Sequence, residues 1–145
     1  MIPSKVTDIW HHKKTVVQNI PLFISRISAG IPFPADSTID QKIDLNEFLI
    51  QNSTATFFVR VEGTSMIDAG IHPGDLLVVD KSIDPLPNNI VIAVVDGEFL
   101  VKRYITEHGV PYLIADNPSC GRVDLKEGMQ VELWGVVKYA IHKAL

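Results

Sequence analysis

The 145-residue sequence has one cysteine, Cys120. A single cysteine cannot form a disulfide within the chain or supply a cysteine-based metal site, so neither can stabilise the fold. Scarcity of cysteine is typical of proteins in a reducing cytoplasm, which is the compartment we expect. The sequence also lacks an apolar run of about 18 residues, and its first residues contain no apolar segment of the signal-peptide type. We therefore expect no membrane span.

Basic residues are scarce for a protein that binds duplex DNA. The chain has 13 lysines and arginines against 17 aspartates and glutamates, for a net charge of −4 at pH 7. Since DNA-binding surfaces usually carry an excess of positive charge, we expect no direct sequence-specific contact with DNA. The composition, with 46% hydrophobic and 21% charged residues, predicts one ordinary folded domain with its own core.

The beginning of the chain differs from the rest in charge and in proline content. Residues 1–29 contain four basic residues and one acidic residue, whereas residues 30–145 contain nine basic and 16 acidic residues. Either these charges are simply solvated, or a basic arm lies on the acidic body of its own or a partner chain. Gly30, Pro32 and Pro34 predict an extended, accessible linker, the backbone form that proteases bind.

Six segments rich in β-branched and aromatic residues predict a mainly β body. They are residues 56–61, 76–79, 90–95, 98–105, 110–115 and 131–141. Asp96-Gly97 separates two of them and is a strong signal for a β-hairpin. Asp44 and Glu47 form a capping-box pattern, which predicts a short helix over residues 44–51. We expect a compact, partly open β-barrel or sandwich with an extended N-terminal arm.

The five histidines do not indicate a metal site. They are His11, His12, His72, His108 and His142, and none stands at a metal-ligand spacing from a cysteine or carboxylate partner. We therefore expect no metal, and the absence of a glycine-rich phosphate loop predicts no cofactor. A Ser-His-Asp triad stays open because geometry defines it. His72 precedes Pro73 in a predicted turn, so we expect it at the surface.

Ser65 and Lys102 are the candidate pair for nucleophilic chemistry. Lys102 shares a strand face with Leu100 and Tyr104. Such a lysine is more commonly exposed to water; in an apolar slot, however, desolvation would lower its pKa and make it a usable general base. Ser65 follows a strand that ends at Gly63, which alone indicates only a turn. Together the two residues indicate a Ser/Lys dyad, in which neutral lysine takes the hydroxyl proton and the alkoxide attacks a carbonyl.

Four segments of the chain resemble the LexA-like self-cleaving serine peptidases. The segment with Ser65 resembles the family's nucleophile segment, and the segment with Lys102 resembles its lysine hairpin, at the family's spacing. A further segment resembles the one that follows the nucleophile, and another resembles the self-cleavage site. In order along the chain, these segments are residues 26–30, 63–71, 74–80 and 96–103.

This resemblance implies a LexA-like peptidase fold and a set of site residues. The scissile bond would be Ala29–Gly30, with Ser65 Oγ as the nucleophile and Lys102 as the base. Backbone amides at Thr64 and Ser65 would form the oxyanion hole. Self-cleavage would remove the arm, residues 1–29, and leave a peptidase and polymerase-accessory domain that begins at Gly30 and ends at residue 145.

Residues 43–46 and 134–137 are similar to segments of the UmuD-type SOS mutagenesis proteins within that family. This likeness implies a homodimer that cleaves itself when it binds a RecA–single-stranded DNA filament. The product would be the accessory subunit of a translesion DNA polymerase of the UmuC type. A LexA-type repressor is not expected, because 29 residues without helical periodicity cannot hold a helix-turn-helix domain.

Two alternative functions stay open at this point. The chain could be a non-catalytic binding module of the same fold, with Ser65 as a turn serine and Lys102 as a strand lysine. It could also act in trans on other LexA-like proteins. Absence of self-cleavage at alkaline pH would favour the first. Cleavage of added family members that cannot cleave themselves would favour the second.

Overall fold

Strands dominate the protein, as its β-branched segments predict. The computed structural model describes residues 4–11, 20–23, 39–119, 122–124 and 130–145. In chain order its elements are β1 (Lys5–His11), β2 (Ile20–Phe23), β3 (Ile39–Ile43), α1 (Leu45–Leu49), β4 (Thr56–Glu62), a 3₁₀ turn (Ile67–Ala69), β5 (Leu76–Asp80), β6 (Ile90–Val95), β7 (Glu98–Glu107), β8 (Val110–Ile114), β9 (Arg122–Asp124) and β10 (Val131–Ile141).

The chain divides into two units. The larger consists of Met1–His12 and Asn52–Leu145, and the smaller of Lys13–Gln51. The predicted scissile bond Ala29–Gly30 and the predicted linker beside it lie outside the described residues.

The larger unit contains a β-barrel. Eight antiparallel strands form one sheet in the order β1-β4-β5-β10-β6-β7-β8-β9. β1 also pairs with β7, where Lys5 lies opposite Leu100, so the first six strands in this order close into a barrel. The predicted mainly β, LexA-like fold is confirmed. Its six predicted strands correspond to β4–β8 and β10, whereas the sequence pattern does not predict β1, β2, β3 or β9.

The barrel is held by an apolar core that extends into the segment after β4. Alternate residues of the strands point to the same side of a sheet, so Val59 and Val61 of β4 enter this core together. Met66, the residue after Ser65, belongs to the same core and is fully buried. Burying such a side chain stabilises the fold by about 1.5–3 kcal/mol, so Met66 anchors the segment that contains Ser65.

β10 lies between β5 and β6 in the sheet and pairs with both. Gly135 suits the close packing at this point, because a Cβ atom there would lie only 2.7 Å from Val79 Cγ1. At the far end of β10, Ile141 lies opposite Leu76 of β5. This register places the residue after β10 beside the residue before β5.

The smaller unit contains the β2–β3 hairpin and the predicted helix. Asp44 caps α1, because its Oδ1 atom accepts a hydrogen bond of 2.9 Å from the Asn46 amide. The prediction of a helix here is confirmed, but the helix ends at Leu49, before the extended backbone of Ile50. Within the described part of the chain, no helix has the length and hydrophobicity needed to cross a bilayer.

Candidate active site

Ser65 lies in a tight turn directly after β4. Gly63 leaves the strand with a φ of 88°, a left-handed conformation that glycine adopts without steric cost. The chain then passes through Thr64, Ser65 and Met66 into the 3₁₀ turn at Ile67–Ala69. We call residues 63–66 the serine turn. Its serine is fully buried.

The segment after β8 holds the serine turn in place. The Asn117 side-chain amide donates to the Thr64 carbonyl oxygen at 3.0 Å, and the Asp116 amide approaches Met66 Sδ at 3.4 Å. The Asp68 amide donates to the Asp116 carbonyl oxygen at 2.9 Å. These contacts come from a segment about 50 residues away in the chain, so the position of the serine depends on the tertiary structure around it and not on its own turn alone.

Arg103 connects this segment to β7. Its Nε atom donates to Asp116 Oδ2 at 2.7 Å, and its Nη2 atom forms an ion pair with the same oxygen. The hydrogen bond that Arg103 donates to the Asp116 carboxylate is the main reason why the pKa of Arg103 is raised above its ordinary value. A guanidinium that stays charged thus links the strand of Lys102 to the segment that holds the serine turn.

Lys102 is buried in the middle of β7, with 6% of its surface exposed. It lies opposite Val91 of β6, which belongs to a second apolar cluster. Of the two alternatives that the strand pattern leaves open, an exposed and a buried lysine, the structure shows the buried one. Removing water from an ammonium group favours its neutral form, which a general base requires.

Ser4, just before β1, bridges the serine turn and β7. Its backbone N–H donates a 2.8 Å hydrogen bond to Ser65 Oγ, and its carbonyl oxygen lies 3.5 Å from the Val101 amide. Ser4 is fully buried, and its own hydroxyl oxygen has no hydrogen-bond partner among the described residues. The backbone of residue 4 therefore occupies the space between Ser65 and the strand that contains Lys102.

An open groove runs along the end of β4. Its volume is about 600 Å³, and residues 60–64 form one wall while Pro73 and Gly74 form the other. Thr64 belongs to both the groove and the serine turn. Ser65 itself is buried and does not line the groove.

The sequence profile of the family described as Peptidase S24-like matches residues 21–138. This range covers most of the chain and includes both Ser65 and Lys102. The chain belongs to the Peptidase S24-like family. The buried serine and the buried lysine thus belong to a chain of a serine peptidase family.

Two relatives match this S24-like chain over most of their length, and a third matches over less than half of its own. It is 41% identical over 131 residues to the protein SamA of Salmonella typhimurium, which covers 90% of this chain and 91% of SamA. It is 43% identical over 125 residues to the protein ImpA of Shigella flexneri, covering 85% and 83%. The LexA repressor of Myxococcus xanthus is 38% identical over 97 residues, but this match covers only 43% of that repressor.

The roles of the predicted site residues in this S24-like protein stay predictions. Thr64 and Ser65, the predicted oxyanion donors, both lie in the serine turn, whereas the predicted cleavage site falls outside the described residues. Ser4 contacts the serine turn through Ser65 Oγ and contacts β7 through the amide of Val101, the residue before Lys102.

The structure also assembles three residues that the sequence leaves far apart. His72, Asp75 and His142 present metal-ligand atoms that all lie within 4.8 Å of one another. His72 was expected at the surface, and its side chain is 43% exposed, although its Nδ1 atom is buried. The third residue of this cluster is 67 positions from the second, so no local spacing could have indicated it.

Proposed function

We propose that this protein is a self-cleaving serine peptidase of the SOS response. It cleaves its own Ala29–Gly30 bond with Ser65 as the nucleophile and Lys102 as the general base. The observation that carries the proposal is the burial of both Ser65 and Lys102 in an S24-like fold, with the Ser4 amide hydrogen-bonded to Ser65 Oγ. Burying an ammonium group costs free energy, and loss of its proton to give a neutral base would relieve that cost.

The proposed reaction needs no cofactor. Lys102 Nζ takes the proton of the Ser65 hydroxyl, and Ser65 Oγ forms a bond to the carbonyl carbon of Ala29. Backbone amides of the serine turn stabilise the negative charge on the Ala29 oxygen. The bond to Gly30 then breaks as Lys102 returns the proton to the Gly30 nitrogen. Water hydrolyses the Ala29 ester, which restores the Ser65 hydroxyl and leaves a carboxylate on the arm.

The described structure corresponds to a latent state in this proposal. Ser65 Oγ already accepts a hydrogen bond from the Ser4 amide, and the serine has no exposed surface. This hydrogen bond and the burial of Ser65 restrain the serine in our proposal, and activation includes the release of Ser4 from the serine turn.

We further propose that a RecA–single-stranded DNA filament triggers this release, in a homodimer that acts in the cytoplasm. The product, residues 30–145, then serves as the accessory subunit of a UmuC-type translesion polymerase. The near full-length likeness to SamA and ImpA supports this role over that of a repressor, because the LexA match covers less than half of the repressor.

A reconstituted cleavage assay tests the regulatory part of the proposal. At neutral pH, RecA with single-stranded DNA and a nucleotide is expected to accelerate cleavage of the full chain by at least tenfold over RecA without DNA. The purified product is then expected to bind a UmuC-type polymerase more tightly than the uncleavable Ser65→Ala chain does. Equal cleavage with and without DNA would contradict filament stimulation, and a polymerase that binds neither form would contradict the partner.

A further inference from the structure

We propose that His72, Asp75 and His142 form a binding site for one zinc ion. The site lies in the larger unit and is independent of the Ser65 chemistry. Two imidazoles and one carboxylate are a ligand set that suits Zn²⁺, and three protein ligands leave a fourth tetrahedral position for water. We did not expect a metal from the sequence, so this proposal reverses that expectation.

The β-sheet register brings the three residues together. β10 ends at Ile141, opposite Leu76 at the start of β5. His142 therefore follows β10 at the level of Asp75, which precedes β5. His72 lies three residues before Asp75 in the same turn, and its backbone amide donates to Asp75 Oδ2 at 2.8 Å. Backbone pairing thus positions two of the ligands, and a local turn positions the third.

The distances between ligand atoms fit a small cation. A tetrahedral zinc ion with ligand bonds of about 2.0–2.1 Å requires ligand atoms roughly 3.3 Å apart. His142 Nδ1 lies 2.7 Å from Asp75 Oδ1, and His72 Nδ1 lies 3.8 Å from Asp75 Oδ2. One separation is shorter and the other longer than the required value, and all three candidate ligand atoms lie within 4.8 Å of one another, so the side chains have to move closer together around the ion.

The cluster also has an unused ligand atom. His72 Nδ1 is buried without a hydrogen-bond partner among the described residues, and at 3.8 Å it is too far from the carboxylate for a hydrogen bond. Burying an unpaired polar atom costs free energy, and coordination of an ion would remove that cost. The Asp75 side chain is 1% exposed, whereas the side chains of His72 and His142 are 43% and 49% exposed, so the carboxylate is the most buried of the three candidate ligands.

The ion would connect the end of the chain to the β4–β5 turn. The Gly74 amide donates to the Val61 carbonyl oxygen at 2.8 Å, and the Val61 amide donates to the Asp75 carbonyl oxygen at 3.1 Å. The turn with two of the ligands is therefore hydrogen-bonded to the end of β4. Zinc is expected to stabilise this region of the barrel, without any contact to the reacting atoms.

Thermal unfolding and calorimetric titration of the untagged full chain test the proposal, with mass spectrometry to confirm that the chain is intact. One zinc ion is expected to bind per chain. At a zinc concentration about 100-fold above the Kd, the Tm is expected to rise by about 5–10 °C. Magnesium and calcium prefer oxygen ligands, so neither is expected to change the Tm.

Variants assign the binding to the cluster. His142 is exposed, so the His142→Ala variant is expected to fold. It is expected to bind zinc about tenfold more weakly than the parent chain or worse. Asp75→Asn keeps the acceptor for the His72 amide and is expected to show the same loss. The control, His108→Asn, replaces an exposed histidine at a φ of 51° by a residue that tolerates this conformation. It is expected to bind zinc like the parent chain.

Two results would overturn the proposal. One is a parent chain whose Tm does not respond to zinc, and the other is zinc affinity that is equal in the parent and in His142→Ala. Cobalt provides a second measurement, because a cobalt-loaded parent chain is expected to show the visible absorption of a tetrahedral site. Loss of that absorption in His142→Ala, and its persistence in His108→Asn, would support the cluster as the site.

Discussion

Ser65→Ala is expected to abolish self-cleavage, with a fall in rate of at least about a thousandfold. Alanine has no hydroxyl, so no bond to the Ala29 carbonyl can form. Lys102→Ala is expected to cause a loss of similar size, because the hydroxyl proton then has no acceptor in the site. The two effects are not expected to add in the double variant, since the residues act as a unit.

Lys102→Arg separates the role of a base from the role of a positive charge. Arginine stays protonated at any accessible pH, so it can replace the charge of a lysine but cannot take a proton. This variant is expected to be as inactive as Lys102→Ala. Ser53→Ala and Lys143→Ala replace exposed residues of the same types, and both are expected to cleave at the parental rate. Activity in Lys102→Arg would contradict a lysine base.

Ser4→Pro is expected to accelerate self-cleavage in the absence of any activator by about five- to tenfold. Proline has no backbone N–H, so this variant loses the hydrogen bond from residue 4 to Ser65 Oγ. Without this hydrogen bond, a larger fraction of molecules is expected to have Ser65 free to react with the Ala29 carbonyl. The rate of product formation at neutral pH, followed by intact mass, measures the effect.

Ser4→Ala is the matched control for this variant. It keeps the backbone N–H and removes only the Ser4 hydroxyl, which has no hydrogen-bond partner among the described residues. It is therefore expected to cleave at the parental rate. Parental cleavage in Ser4→Pro, or equal acceleration in both variants, would show that the Ser4 amide does not restrain Ser65.

The strands of the barrel were predictable where the signal was local. β6 and β7 flank Asp96-Gly97, and a hairpin of this kind is indicated by residues that are neighbours in the chain. β1 gives no such signal. Proline precedes it at Pro3, and in the sequence its seven residues resemble part of an extended arm. Its partner β4 lies about 50 residues further along the chain. Only the complete barrel explains why this segment forms a strand.

In the candidate active site and the histidine cluster, too, local features could be predicted from the sequence, whereas contacts between distant residues could not. The turn at Gly63 and the strand of Lys102 could be predicted, because each depends on residues nearby in the chain. The contact between Ser4 and Ser65 joins residues 61 positions apart, and the contact between Asp75 and His142 joins residues 67 positions apart. Both contacts depend on strand register, which periodicity alone does not determine.

The central claim is that Ser65 and Lys102 cleave the Ala29–Gly30 bond, and intact mass spectrometry of the purified full chain tests it most directly. The chain is incubated without activator at pH about 7 and at pH about 10, close to the reference lysine pKa of about 10.4. Because a higher pH increases the neutral fraction of lysine, cleavage is expected to be faster at the higher pH. The account predicts two fragments, one ending at Ala29 and one beginning at Gly30, which are absent from Ser65→Ala and Lys102→Ala. The same fragments from the Ser65→Ala chain, or cleavage at another bond, would contradict it.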